Sequence, residues 1–248
     1  MKRKFIAFFI VVLTIIFCLF NDDVSSKSQV KATHTINLST QNITYSTILL
    51  DVPLESQFEG QRLENGCEVT ALSMLLQYYG YDVNKNVLAS QLQYEPFSVN
   101  NQIYGDPRIG FVGDIQKGNR AMGVFVEPIA QLARKIVHED VMVHDEKITF
   151  DEVISLVQQD IPIWCLITVD FIELQDSDFI EWPTNQGNIK VTPKIHAAVI
   201  TGMDSENIYV NDPYGYKNRP VKIETMKKIF EKMGAQSLYF TILSFTVI

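Results

Sequence analysis

Cys67 is the residue of this sequence best placed for covalent chemistry. It follows Gly66 and opens a stretch in which Val69, Leu72, Leu75, Leu76 and Tyr79 fall on one helical face. The first turn of a helix presents free N–H groups and the positive end of the macrodipole, and both favour a thiolate. Gly66 leaves room for a substrate backbone to approach. A small buried core cysteine is the competing reading, so a base is needed before the thiol becomes a nucleophile.

Four histidines are available. His34 lies in a polar N-terminal stretch. His138 and His144 sit among Glu139, Asp140, Asp145 and Glu146 and read as surface residues. His196 is different: it lies at the start of the apolar run Ile195–Ile200, and Ala197 and Ala198 leave room for a close neighbour. It is the candidate general base, although a core histidine bonded to a backbone carbonyl would look the same. The third group is Asp212, held at a strand end because Pro213 cannot continue a ladder. The turn Asp204-Ser205-Glu206-Asn207 joins the two strands as a hairpin. If Met203 and Ile208 pair around it, Asp212 faces Val199 and not His196. A bulge, or a departure of the chain at Asn211, must then close the gap. Asp-Pro is also an ordinary turn starter, and Asn211 is an alternative orienter. An oxyanion would be held by the Cys67 N–H and a loop amide, for which Gln57 and Gln61 both qualify.

Cys165, within Ile163-Trp164-Cys165-Leu166, reads as a buried structural thiol; a Cys67–Cys165 disulfide would silence the site. His and Cys nowhere cluster at ligand spacing, so neither a metal nor a cofactor is expected.

These residues need elements to position them. A strand is expected over 47–52, a loop over 54–66, and a helix over 67–79 with Asn65 as N-cap, Glu68 closing a capping box and Gly80 ending it. Helices follow over 83–92, 128–137, 149–159 and 225–233. Strands are expected over 161–169, 195–203, 207–210 and 238–248. Residues 94–120 read as a long glycine- and proline-punctuated loop, of a length that usually has a function. This loop and the acidic stretch 170–192 are expected to line a cleft, where an acidic rim would favour a basic peptide. A charge run is as readily a solvated face. The order gives an α+β fold: an N-terminal helical part carrying the Cys helix, packed on a mostly antiparallel sheet.

Composition agrees with a globular chain, at 46% hydrophobic and 20% charged residues. A net charge of −8 without a basic stripe excludes nucleic acid as a natural partner. Met1-Lys2-Arg3-Lys4 followed by the uncharged run Phe5–Phe20 reads as a signal peptide or membrane anchor over 1–20. A polar linker over 21–46 and one domain over 47–248 complete the organisation. The protein is expected to be secreted or anchored to the outer face of the cytoplasmic membrane.

Val52-Pro53-Leu54-Glu55-Ser56-Gln57, Asn65-Gly66-Cys67-Glu68-Val69-Thr70-Ala71-Leu72 and Tyr78-Tyr79-Gly80 resemble the peptidases that cut double-glycine leaders from bacteriocins. They resemble more closely the stand-alone secreted relatives of Gram-positive bacteria. His196-Ala197-Ala198-Val199-Ile200-Thr201-Gly202 with Val210-Asn211-Asp212-Pro213-Tyr214-Gly215 matches the second half of that pattern, and Gly105-Asp106-Pro107 with Gly110-Phe111-Val112-Gly113 looks typical of the secreted branch. The resemblance spans about residues 50–245. It implies a papain-like fold with Cys67 as nucleophile, His196 as base, Asp212 as orienter and a glutamine in the oxyanion hole. Gln57, which fits by its Val-Pro-x-x-x-Gln context, is preferred, and Gln61, which fits by its offset from the cysteine, is the alternative. Glu68 departs from the glycine usual in the leader peptidases, and its carboxylate would raise the thiol pKa against the helix dipole.

The expected function is an extracytoplasmic cysteine peptidase acting on a peptide or protein substrate through a thioester acyl-enzyme. Cell-wall amidase or endopeptidase activity, or acyl transfer, would use the same residues. A non-catalytic surface binding module on the same fold is the alternative from another class.

Overall fold

The computed structural model describes residues 47–118 and 120–243. The expected signal or anchor over 1–20, the linker, His34 and the last five residues of the final strand lie outside the described residues.

The expected helix forms as α1 (Cys67–Tyr78), but its cap differs. Gly66 is the N-cap and no side chain caps the helix. The capping box of Asn65 and Glu68 is absent because both side chains are used elsewhere. Asn65 donates through Nδ2 to the carbonyls of Asp114 and Lys117, at 2.7 and 3.1 Å, and Glu68 turns into the interior. Gly66 itself is forced by packing, since a Cβ there would lie 2.4 Å from Leu63 Cβ. The helix is not a one-sided amphipathic element: Cys67 to Leu76 are all buried.

The loop before α1 is pinned by a polar cluster. Glu55 accepts from Ser73 Oγ at 2.5 Å and from the Lys85 N–H at 3.2 Å, and the buried Lys85 ammonium lies 3.6 Å from it. Lys85 Nζ also donates to the Glu59 carbonyl at 2.8 Å. Lys85 belongs to α2 (Lys85–Gln91), which starts two residues later than its pattern suggests because Asn84 caps it through its side chain.

Residues 94–120 are more ordered than their punctuation implies. Two short strands within them, β2 (Tyr94–Glu95) and β3 (Phe111–Gly113), form a small sheet with β4 (Ala121–Gly123), which follows. It packs through Val112 and Met122 against Trp182 and Val191.

The main sheet has seven strands. Six run in the order β11 (Tyr216–Lys222), β10 (Asn207–Asp212), β9 (Ile195–Met203), β6 (Ile163–Thr168), β12 (Ser237–Ile242) and β5 (Val141–His144). The short β1 (Ile48–Leu49) pairs with β9. All its pairings are antiparallel. Outside it, β7 (Ile180–Thr184) and β8 (Gly187–Val191) form a hairpin inside the acidic stretch. The remaining helices are α3 (Val126–Ile136), α4 (Phe150–Val157) and α5 (Ile223–Lys232). Thr149 and Glu152 make the expected capping box at α4. The core joins α1 to β6 and β9, with Trp164 fully buried and donating from Nε1 to the Glu68 carbonyl at 3.0 Å. Mixed helices on an antiparallel sheet make this an α+β fold.

Candidate active site

Cys67, His196, Gln57 and Glu68 line one cavity of about 150 Å³. The sequence places them on three separate segments, and each is held there by a specific local device.

His196 lies near the start of β9 and its ring is buried. Its Nε2 is 2.9 Å from Asp212 Oδ1. The hairpin register explains how they meet. Met203 pairs with Ile208 and Gly202 with Tyr209, as the turn predicts, but Val210 then pairs with Ile200. Thr201 is the extra residue, a bulge on β9 and not a departure at Asn211. Its carbonyl accepts the Leu50 N–H at 2.7 Å. Asn211 pairs with Val199, so Asp212 falls level with Ala198. Alternate strand residues share a face, so the bulge brings Asp212 to the same face as His196.

Asn211 does not reach His196. It faces the other side, where its Nδ2 donates to the Val52 and Pro53 carbonyls at 2.9 and 3.2 Å.

Asp212 is buried and held by three donors. Besides His196, the Tyr214 N–H reaches Oδ1 at 2.9 Å and Arg219 Nη1 reaches Oδ2 at 3.0 Å. Burial pushes its pKa up, but the hydrogen bond and charge of His196 and the hydrogen bonds from the Tyr214 N–H and Arg219 outweigh that and leave it below the ordinary carboxylate value. An ionised carboxylate only accepts, so His196 donates from Nε2, which leaves Nδ1 as the nitrogen that can exchange a proton. Arg219 was not singled out in the sequence; it stacks over Phe171 at 4.7 Å. The one available signal was its place on a third strand beside the hairpin. Tyr214 packs edge-on to His196, with ring centroids 4.7 Å apart.

Gln57 is the glutamine at the site. It is buried, and its backbone N–H donates to the Pro213 carbonyl at 2.8 Å, which ties it to the Asp212 turn. Its Nε2 donates to the carbonyls of Leu63 and Glu64 at 3.1 and 3.0 Å, and its buried Oε1 has no partner. Gln61 is exposed and lines a different hollow with Asn86 and Ala89.

Cys67 and Cys165 are both free thiols. The Cys67 thiol donates to Glu68 Oε2 at 3.2 Å. Its pKa is pushed well up by burial first, then by the Glu68 charge and hydrogen bond; the N–H groups of Ala197 and Cys67 itself act against this. At the thiol the dipole of α1 is therefore outweighed. Cys165 is fully buried, and burial raises its pKa too. His138 is exposed, and His144 pairs with Glu146 at 3.1 Å, stacked on Tyr239.

The cavity walls depart from expectation. They come from Ala121, Met122, Gly123, Val169, Pro193 and Ile195 and not from the acidic residues of 170–192. Three of those acids find cations instead: Asp178 pairs with Lys194 at 2.7 Å, Glu173 with Lys228 at 3.2 Å, and Asp176 with Lys232. Trp182 is buried with its Nε1 on the Gly105 carbonyl at 2.8 Å. Among the described residues no group of three or more His, Cys, Asp or Glu side chains could hold a metal ion.

A helix-borne cysteine beside a histidine and a carboxylate on an antiparallel sheet defines a cysteine-peptidase-like fold of the papain kind. The chain belongs to the Peptidase_C39 like family, whose model matches residues 49–238. It is 39% identical over 189 residues to the uncharacterized protein YvpB of Bacillus subtilis (strain 168), a match covering 76% of this chain and 74% of that one. It is also similar to the crystal structure of a Bacillus anthracis protein assigned to the C39-like peptidases. There the TM-score is 0.75 and the identity 30%, over 81% of this chain and 100% of that one.

Proposed function

We propose that this protein is an extracytoplasmic cysteine peptidase in which Cys67, His196 and Asp212 form a triad. The observation that carries the reading is that His196 lines the same cavity as Cys67 and lies 2.9 Å from Asp212. Membership of a peptidase family supports peptide bonds as the substrate. The basic n-region and apolar run over residues 1–20 support export.

Asp212 holds the imidazole with Nε2 protonated, and Nδ1 takes the thiol proton. The thiolate attacks the scissile carbonyl, and the carbonyl electron pair moves onto oxygen. That oxyanion is met by the Cys67 N–H at the start of α1 and by the Gln57 amide, which gives up one of its two carbonyl partners. Collapse expels the amine, which takes its proton from His196 and leaves a thioester. Water attacks the thioester with His196 again as base, and the acid and the thiol are released.

A peptide-library digest read by mass spectrometry tests this. The wild type is expected to produce fragments with new carboxyl and amino termini, and Cys67→Ala none. Equal fragment sets from both proteins would end the proposal. Products that carry an added amine in place of a new carboxylate would move the reading to acyl transfer.

A further inference from the structure

Glu68 has an unusual place for a residue next to a nucleophile. It is buried, yet it appears in no salt bridge among the described residues. The fold builds a seat for it. Oε1 accepts the Val124 N–H at 3.1 Å. Gly123, at φ +84°, leaves the space the carboxylate fills, since a Cβ there would lie 2.3 Å from Oε1. Trp164 from β6 fixes the Glu68 carbonyl from below. The remaining oxygen, Oε2, takes the Cys67 S–H.

We propose that Glu68 is a positioning residue for the nucleophile: it keeps the Cys67 S–H bond intact while the cavity is empty and releases it when a substrate N–H donor replaces the thiol at Oε2. This rests on the triad reading above. An empty exported thiolate is exposed to oxidation and alkylation, whereas a thiol bonded to a buried carboxylate is a poor nucleophile. When a peptide N–H enters the cavity, Oε2 gains another donor. The thiol then turns to His196: the S–H bond breaks, an N–H bond forms at Nδ1, and the electron pair stays on sulfur. No other reagent is needed.

The groups facing Glu68 are consistent with this role. Cys67 is beside it on α1, and the His196 charge favours its ionised form from β9. From β2 and from the turn after β10, Tyr94 and Tyr214 each feel its negative charge. Among the described residues no lysine or arginine is paired with it, and its donors are its own N–H, the Val124 N–H and the Cys67 S–H.

The test is the rate of iodoacetamide alkylation of the empty protein across pH, in wild type, Glu68→Gln and each combined with His196→Ala. Gln preserves the length and the acceptor for the Val124 N–H, and it presents an amide donor to the sulfur. At pH 7 the Glu68→Gln protein is expected to react at least about tenfold faster, with the pH midpoint lower by about one unit. Adding His196→Ala should return it to slow labelling. A Glu68→Gln rate within about twofold of wild type, with His196→Ala still slowing both, would overturn the Glu68 role and leave the triad standing. Labelling indifferent to His196 in both backgrounds would overturn the triad and Glu68 together. Glu68→Met, equally uncharged, is read in the same way if Glu68→Gln fails to fold.

Discussion

His196 Nε2 lies 2.9 Å from Asp212 Oδ1, and the two meet because Thr201 is an extra residue in the ladder between β9 and β10. In an unbulged hairpin position 212 would oppose Val199, whose side chain is on the other face from His196. One inserted residue reverses that parity. The pair is thus a product of a defect in the strand, and it locks the ring in one tautomer.

Asp212→Asn tests the consequence. An amide can donate to Nε2 and so favour the wrong tautomer. A fall of about 10³- to 10⁴-fold in kcat/KM is expected, with KM little changed. The stability effect has its own pH signature. The Asp212 pKa is depressed below 3.8 in the folded protein. Its contribution is therefore fully present above that ordinary value and is lost as pH falls through the depressed one. Urea titrations should show the wild-type advantage over Asp212→Asn shrinking in acid. A difference independent of pH would deny the ionised pairing.

Asn211→Ala should behave in the opposite way to its neighbour. Asn211 is fully buried, donates to the Val52 and Pro53 carbonyls, and accepts the Asn218 N–H at 3.0 Å. Its loss leaves buried partners unmatched, at a cost of about 1–3 kcal/mol. Denaturant unfolding should show that loss while kcat per folded molecule stays near wild type. A collapse of kcat at full folding would restore Asn211 as an orienter.

The hairpin, α1 and the buried strand β6 were legible in the sequence because each is encoded by local pattern and turn chemistry. The strand over 195–203 matches its expected bounds, and Cys67 opens its helix as expected. What failed was non-local. Asn65 and Glu68 satisfy a capping-box pattern, yet Asn65 is drawn to carbonyls 49 and 52 residues away, and Glu68 to Val124, 56 residues away. The preference for Gln57 over Gln61 did not fail: Gln57 lies in the cavity with Cys67 and His196, tied there by the Pro213 carbonyl far along the chain. The acidic stretch looked like a cleft wall because its lysine partners lie outside it, Lys194 just beyond its end and Lys228 and Lys232 on α5.

Gly123→Ala probes the seat of Glu68 from the other side. The backbone there has φ +84°, and a new Cβ would lie 2.3 Å from Glu68 Oε1. Both the left-handed conformation and the clash oppose alanine, so a loss of about 1–3 kcal/mol is expected. The displaced carboxylate should also release the thiol, so the folded variant should alkylate faster than wild type at equal pH. An unchanged melting temperature together with unchanged alkylation would show that Gly123 does not shape the carboxylate.

Glu68→Gln carries a stability prediction separate from its effect on the thiol. Burial raises the Glu68 pKa above 4.5, while its own N–H, the Val124 N–H, the Cys67 thiol and the His196 charge lower it only in part. Between 4.5 and the raised value the folded protein holds a proton that the unfolded chain has lost. By linkage, that makes stability fall as pH rises through this window. Gln has no such ionisation and keeps an acceptor for Val124. Glu68→Gln should therefore match wild type near pH 4 and exceed it at pH 7, where wild type bears the cost of a buried carboxylate without a cation. Chemical denaturation at the two pH values measures the difference. A Glu68→Gln protein less stable than wild type at pH 7 would mean that the charge itself holds the site together, with the His196 imidazolium as its counter-ion.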